Sequence, residues 1–209
     1  MMISIDSIAF FDVETTGLDP SNSKIIEIGI VVCDDEGDML CEPWGSLVQR
    51  RHVPDEIQEL TGISERDLQR EGRPWDEVQS KAGAYLYHAD AWAAYNADFD
   101  IGFVETHIPQ LDADRHTVID PLECVYNYIP PSMIDGRSRS LEDVCQSMGV
   151  SLRHAHRAVA DTKATKRLMF KMLDRIGMSV QEYVSDRRTR LGEPLQSKDP
   201  FEALYISRP

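Results

Sequence analysis

The sequence is poor in cysteine, lacks long apolar runs and carries few basic residues for its length. Its four cysteines form no C-x-x-C pair and have no histidine at zinc-finger spacing: Cys33, Cys41, Cys124 and Cys145. A disulfide framework or a cysteine zinc site is therefore not expected. No apolar run approaches the ~20 residues that cross a bilayer, so no membrane association is expected. Lys and Arg number 22 against 36 acids, for a net charge of −14, a balance that opposes phosphate binding.

The chain has the size and composition of one globular domain. Its 209 residues, 42% hydrophobic and 28% charged, suffice for a full apolar core. The first seven residues lack the basic-then-apolar pattern of a signal peptide, and no repeat or low-complexity segment occurs. A cytoplasmic protein is the expectation.

The charge is unevenly distributed along the chain. Residues 149–190 contain ten Lys/Arg and four acids, which makes this segment +6 within an acidic protein. Such asymmetry can mark a segment that faces nucleic acid, although on charge alone a solvated helix face is the favoured explanation. Our hypothesis is that Arg153, Arg157 and the Arg187–Arg190 cluster contact phosphates.

Hydrophobic periodicity and turn residues predict five strands and about seven helices. Three strands come first, the third nearer an edge because it contains Pro43: 8–13, 24–34 and 39–48. Two short strands follow, at 91–95 and 117–120. Helices are predicted near 54–61, 64–71, 74–87, 98–107, 140–149, 157–176 and 179–188, with a loop at 135–139. This order indicates an α/β domain with a mixed sheet whose first strands pair as hairpins.

Asp12 and Glu14 form the first candidate group. They end the first strand one residue apart, so both carboxylates point to one side of the sheet. Close anions repel unless a cation lies between them, and oxygen ligands suit Mg²⁺ or Mn²⁺. Two solvated acids at a strand end are the alternative. The following Thr15-Thr16-Gly17 turn favours a site, because its backbone can approach a ligand.

The second and third groups lie at later element boundaries. Asp98 and Asp100 follow the fourth strand, where ligands gather in α/β sheets; Asp98 also suits a helix start, so Asp100 is placed in the site. His156 precedes Asp161 by five residues, and a histidine in a loop before the helix could reach the same metal. His154 is a lower-ranked neighbour. Three carboxylate groups and a histidine meet the needs of two-metal phosphodiester hydrolysis with a base near neutral pH.

The three groups together resemble the DEDDh 3′–5′ exonucleases, the family that includes bacterial proofreading subunits. The segments 11–18 (FDVETTGL), 96–103 (NADFDIGF) and 156–161 (HRAVAD) are similar to its three motifs, and weaker similarity extends over about residues 7–173. The resemblance implies a ribonuclease H-like fold with a five-stranded mixed sheet flanked by helices. It implies an exonuclease domain over 1–176, with 177–209 as a helical extension and tail packed on the same domain.

The resemblance also implies roles for individual residues. Asp12 would bridge two Mg²⁺ or Mn²⁺ ions, Glu14 and Asp161 would share one of them, and Asp100 would hold the second. His156 would be the general base. The terminal nucleotide would meet a further set of residues: Thr15, Thr16, Gly17, Leu18, Asn96 and Phe103.

Several functional hypotheses follow. The first is a free-standing exonuclease acting on single-stranded 3′ ends, with DNA favoured, although motif residues do not distinguish the two sugars. The second is a proofreading or trimming subunit that acts with a polymerase or a repair or processing complex in trans, since no polymerase domain is recognisable. The tail residues Phe201, Leu204, Tyr205 and Ile206 could dock on such a partner or fold back on the core. A catalytically silent binding module and a small-nucleotide phosphatase are less favoured.

Overall fold

The computed structural model describes residues 4–134, 138–153 and 155–191. Five strands form one sheet in the order β3-β2-β1-β4-β5: β1 (Ile8–Thr15), β2 (Ile25–Cys33), β3 (Trp44–Leu47), β4 (Ala91–Ala93) and β5 (Thr117–Ile119). The strands β1, β2 and β3 pair antiparallel, and β1, β4 and β5 pair parallel. The predicted five-stranded mixed sheet is confirmed.

Eight helices surround the sheet in the described residues: α1 (Asp55–Thr61), α2 (Glu65–Glu71), α3 (Trp75–His88), α4 (Ala97–His107), α5 (Pro121–Tyr128), α6 (Leu141–Ser147), α7 (Ala158–Ile176) and α8 (Val180–Leu191). Short 3-10 turns lie at Ala113–Arg115 and Pro131–Met133. No described helix is long and apolar enough to span a membrane. The predicted loop at 135–139 lies partly outside the described residues. His154 and the tail beyond Leu191 lie wholly outside them.

Side-chain alternation along β1 divides the core between the two faces of the sheet. Ile8 and Phe10 pack into the cluster that includes the buried side chains of α5, α6, α7 and α8. Ala9, Phe11 and Val13 pack with α3 and α4 on the opposite face. Asp12 and Glu14 continue the parity of Ile8 and Phe10, and therefore point towards α7.

One strand was predicted with wrong bounds, and one helix was missed. The third strand is shorter than expected, because only Trp44–Leu47 pairs with β2 and the earlier residues form a single bridge, Cys33 with Met39. Helix α5 was not predicted, although Asp120 caps it by accepting from the Leu122 N–H and Pro121 occupies its first turn, a common way to begin a helix.

Close backbone packing fixes the start of α7 on the sheet. A Cβ atom at Gly29 of β2 would lie 2.4 Å from the Ala158 carbonyl carbon, and one at Gly45 of β3 would lie 2.1 Å from a Val159 methyl group. The Thr162 hydroxyl donates to the Gly29 carbonyl across 3.2 Å. Helix α7 therefore approaches β2 and β3 more closely than any side chain there would allow.

We expect Gly29→Ala to destabilise the protein by about 1–3 kcal/mol, because the added methyl group overpacks this contact. The same variant should lose activity, because the displaced helix carries Asp161. Gly102→Ala is the matched control: its Cβ meets only the Pro20 ring, at 3.4 Å, and alanine is the better helix former by roughly 0.5–1 kcal/mol. Denaturant unfolding of both variants tests this, and equal stability for Gly29→Ala and the wild type would contradict it.

Candidate active site

The first two predicted acids lie side by side where β1 ends. Asp12 and Glu14 are half-buried on the face of the sheet that α7 covers. In the register of β1 and β2, Asp12 lies opposite Gly29 and Glu14 lies opposite Glu27. Because the residue opposite Asp12 is glycine, helix α7 can pack closely against the sheet beside both carboxylates.

Helix α4 brings Asp100 to the same place from the other face. Strand β4 pairs with β1 only as far as Ala93, and beyond that point the Val13 N–H donates to Asp100 Oδ1 across 2.8 Å. Asp100 is 3% exposed, whereas Asp98 is exposed in the same first turn. Asp100 thus turns inwards and Asp98 does not, and the placement of Asp100 rather than Asp98 in the site stays a prediction.

Helix α7 and the loop before it supply the remaining pair. Asp161 is buried in the first turn of α7, and its Oδ2 accepts from the backbone N–H of His156 at 3.0 Å. His156 has a φ of +63°, an uncommon conformation for a residue with a side chain. This turn reverses the chain so that an exposed imidazole and a buried carboxylate, five residues apart, meet at one site.

Ligand atoms of Glu14, His156 and Asp161 all lie within 4.8 Å of one another. Asp161 Oδ1 is buried and has no hydrogen-bond partner among the described residues. A buried anionic oxygen without a donor is costly, and a divalent ion is the group that would offset both this cost and the repulsion between neighbouring carboxylates. The donor set is therefore suited to a divalent metal ion.

The carboxyl groups are strongly perturbed by burial and by one another. Desolvation, and next the charge of Asp100, raise the pKa of Asp12 well above its usual range. Desolvation and Asp161 raise the pKa of Glu14 to about 8. Burial raises the pKa of Asp100 to about 8 against the opposing Val13 hydrogen bond, and that of Asp161 to about 6. Groups perturbed in this way cluster at functional sites.

In EDTA, we expect stability to fall as the pH rises from about 5 to about 8. A carboxyl whose pKa is raised by folding stabilises the folded state below its unfolded pKa, and this contribution is lost as the pH rises through the folded pKa. This loss falls near pH 6 for Asp161 and near pH 8 for Glu14 and Asp100, where the folded-state pKa values of these groups lie.

Thermal unfolding measures the effect. The melting temperature should drop by roughly 5 °C or more across this range, and Mn²⁺ should restore it at the upper end. Glu14→Gln, which removes one titrating group, should flatten the EDTA profile. A melting temperature that stayed constant or rose with pH in EDTA would contradict the electrostatic description of the site.

Two further acids, which were not predicted as site residues, hold the site together. Glu27 accepts from Arg157 Nε at 3.1 Å and Nη2 at 2.9 Å, and from the Ala158 N–H at 3.0 Å. It thereby fixes the start of α7 next to His156. A charged residue inside the apolar run of β2 was the available signal, because a buried charge requires a partner.

Asp120 fixes the start of α4, within the second motif, in the same way. It accepts from the N–H groups of Asn96 at 3.0 Å, Ala97 at 3.1 Å and Leu122 at 2.9 Å. Burial raises its pKa to about 6 despite these hydrogen bonds. Asn96 has a φ of +63°, so Asp120 stabilises the unusual turn that starts α4 and directs Asp100 inwards.

The predicted nucleotide-contacting residues fall into two groups. Thr16, Gly17 and the 47% exposed Leu18 lie at the surface after β1, and Asn96 is half-buried. Thr15 is buried and donates to the Gly17 carbonyl at 2.6 Å, which shapes this turn.

The expected nucleotide contact of Phe103 is not available. Its side chain is fully buried and packs against Phe99, with 5.0 Å between ring centroids. It supports α4 from the core instead.

The C-terminal arginines of the phosphate hypothesis are largely engaged elsewhere. Arg187 is buried and pairs with Glu123 at 2.6 Å, and Arg190 pairs with Asp186 at 2.8 Å. Arg157 is held by Glu27. Of the arginines named in that hypothesis, Arg153 and Arg188 have exposed side chains without an ion pair among the described residues.

Comparisons with known proteins relate the sequence of this chain to a protein family. The family model RNase_T, described as "Exonuclease", matches residues 9–169. DNA polymerase III PolC-type from Clostridium perfringens is 32% identical over 167 residues, covering 78% of this chain and 11% of that protein. The PolC-type polymerase of Thermotoga maritima is 31% identical over 198 residues, covering 91% and 13%. The chain thus spans a small part of the length of the curated relatives it matches.

Solved structures show the same architecture. The zinc-bound E. coli ExoI–ssDNA complex superposes with a TM-score of 0.73 at 18% identity, covering 90% of this chain and 43% of that one. Exonuclease I from Methylocaldum szegediense gives 0.72 at 20% identity, covering 87% and 43%. The predicted ribonuclease H-like fold is confirmed by this likeness.

Proposed function

Because the chain belongs to the exonuclease family whose model matches residues 9–169, we propose that it removes nucleotides one at a time from the 3′ end of single-stranded DNA. The observation that carries this proposal is the convergence of Asp12, Glu14, Asp100 and Asp161, from three separate segments, with an exposed histidine beside them. Structural acids are not usually buried together without cationic partners.

Four carboxylates would hold two Mg²⁺ or Mn²⁺ ions, which when bound stabilise charge on the attacking and leaving oxygens of the phosphodiester. Asp12 lies close enough to Asp100, Glu14 and Asp161 for the charges of all three to raise its pKa. Glu14 and Asp161 lie together on the side of α7, and Asp100 lies on the side of α4. This division supports one ion site on each side of Asp12.

His156 would take the proton of the attacking water. Its side chain is exposed while its backbone is tied to Asp161, so the imidazole is held beside the carboxylates and remains open to solvent and substrate. A base must reach the water that it deprotonates, and no other described histidine lies in the acidic cluster.

The turn after β1 would bind the terminal nucleotide. Thr16, Gly17 and Leu18 offer backbone groups and one exposed apolar side chain, and Asn96 lies at the start of α4. A Cβ at Gly17 would meet the Ser23 hydroxyl at 2.7 Å, so this turn is tightly packed and pre-formed. A rigid turn positions a 3′ end at a smaller entropic cost.

A gel assay tests the proposal. Single-stranded DNA and RNA of one sequence, labelled at the 5′ end, are incubated with Mg²⁺, Mn²⁺ or EDTA. A ladder that shortens from the 3′ end with either metal, is absent in EDTA and is faster on DNA is the expected result. Cleavage at internal positions, or no cleavage of either strand by folded protein, would exclude the proposed activity.

A second candidate function, proofreading beside a polymerase, is favoured by the names of the relatives. The matched curated proteins are DNA polymerase III PolC-type enzymes of which this chain covers 11–14%. If this chain proofreads, it should remove a mismatched 3′ terminus from a primer faster than a matched one, because an unpaired end separates more readily. Equal rates on both termini would favour single-strand trimming.

A further inference from the structure

A cleft of about 890 Å³ lies on the β3 side of α7, next to the acidic site. One wall is the exposed side of α7 and the loop before it, and the other is β3 with the segment after α2. The cleft is lined by five basic residues and two acids: Arg73, Arg153, Arg157, Lys163, Arg167, Glu27 and Glu71. This excess of positive charge contrasts with the net charge of −14 for the whole chain.

The charges that remain available in the cleft are positive. Glu27 is occupied by Arg157, and Glu71 pairs with Arg70. Within the described ranges, Arg73, Arg153 and Lys163 form no ion pair, and all three are exposed. Cations placed together without partners on an acidic protein concentrate anions locally.

The backbone fixes both walls. Arg73 is bound to the sheet edge, since its N–H donates to the Leu47 carbonyl at 3.0 Å and its carbonyl accepts from the Gln49 N–H at 2.8 Å. On the other wall, Arg167 donates to the Ser151 carbonyl at 2.7 Å, which holds the loop that carries Arg153. The positive groups therefore belong to a formed cleft with two anchored walls.

The cleft is adjacent to the acidic site. Glu27, in its lining, is the cross-strand partner of Glu14, and Arg157, also in its lining, follows His156 directly. The carboxylates at which the 3′ end of a strand would lie are therefore adjacent to the cleft.

We propose that this cleft binds the phosphodiester backbone of the substrate strand on the 5′ side of the cleaved bond, through Arg73, Arg153 and Lys163. The inference rests on the proposed function, since it takes the acidic site as the position of the 3′ end. The cleft would give this acidic protein a positively charged surface that binds a polyanionic strand. Its basic residues, rather than the C-terminal arginines, would then contact the phosphates.

The test compares two triple variants that change the net charge equally. The cleft variant is Arg73→Gln, Arg153→Gln and Lys163→Gln; the control is Arg66→Gln, Arg115→Gln and Arg175→Gln, none of which lines the cleft. Affinity is measured by fluorescence anisotropy in Mg²⁺ with single strands of about three and about fifteen nucleotides whose 3′ linkages are hydrolysis-resistant phosphorothioates, over a series of salt concentrations.

The cleft variant should bind the long strand roughly tenfold or more weakly, and its salt dependence should flatten by about 2 in log–log slope, which is about 0.7 for each of three lost phosphate contacts. Its affinity for the short strand should stay within about twofold of the wild type, because such a strand does not reach the cleft. The control should behave as the wild type with both strands.

Two results would overturn the inference: equal affinity of cleft and control variants for the long strand, or equal weakening of the cleft variant for both lengths. Hydrolysis of unmodified strands by the wild type is measured in parallel. If the wild type binds the long strand through the cleft but hydrolyses neither strand, the proposed activity fails while the binding site stands. If the wild type hydrolyses both strands but the cleft variant binds the long strand normally, the proposed activity stands and the proposed binding site fails.

Discussion

Asp12→Asn should abolish hydrolysis and, in EDTA, stabilise the fold. We expect the rate to fall by about 10³-fold or more, because the central carboxylate is lost and with it several kcal/mol of transition-state charge stabilisation. The melting temperature in EDTA at about pH 8 should rise, because a neutral amide replaces a half-buried carboxyl whose ionisation is opposed by desolvation and by Asp100, Glu14 and Asp161.

The opposite signs distinguish a functional acid from a structural one. Removing a carboxylate that held the fold together would lower both activity and stability. Asp98→Asn is the matched control, because Asp98 lies in the same first turn as Asp100 but is exposed; it should keep the rate within about twofold. Unchanged hydrolysis by Asp12→Asn, or an equal loss in Asp98→Asn, would contradict the placement of the site.

His156→Ala should lower the rate by about 10²–10⁴-fold, the usual contribution of a positioned base. Stability should change little, because the imidazole is exposed and only the backbone N–H of this residue bonds Asp161. His88→Ala provides a control at another exposed histidine, at the end of α3.

His156→Gly separates the chemical role of the side chain from its conformation. A glycine accepts the φ of +63° without strain, so this variant should be at least as stable as His156→Ala and equally inactive. Activity retained in the glycine variant would mean that the turn, and not the imidazole, is what hydrolysis requires. Unfolding curves and single-turnover rates for both variants decide the matter.

The parts of the fold that depend on local pattern could be predicted from the sequence. Alternation in β1 placed Asp12 and Glu14 on one face, and Ser64 was identified as a helix start that the structure confirms with a full capping box. Helix α5 was missed although it is longer than the seven-residue helices α1, α2 and α6, which were predicted from the residues at their starts. Its Asp-Pro start was nevertheless a readable signal.

The convergence of the acids could not be derived from spacing. Asp12 and Asp161 are brought together by the docking of α7 on β2, which depends on Gly29 and on the Glu27–Arg157 pair. These are tertiary contacts between residues far apart in sequence, and no local rule predicts them. Resemblance to the three motifs supplied that part, and it carried Phe103 along although burial removes this side chain from the surface.

Ion pairing in the fold explains why charge counting along the sequence was a poor guide to phosphate contacts. Arg187 and Arg190 belong to a basic stretch of sequence, but their partners Glu123 and Asp186 neutralise them in the fold. Arg73 lies outside that stretch, and only the pairing of its backbone with Leu47 and Gln49 brings it opposite α7. The electrostatic surface is therefore a property of the fold and not of the linear charge pattern.

Asp12, Glu14, Asp100 and Asp161 are proposed to form a single metal-binding centre, and counting bound Mn²⁺ by calorimetry tests this proposal most directly. The wild type should bind about two ions per chain with release of protons, Asp100→Asn should bind fewer, and Asp98→Asn should match the wild type. No saturable Mn²⁺ binding, or binding unaffected by Asp100→Asn, would contradict the account.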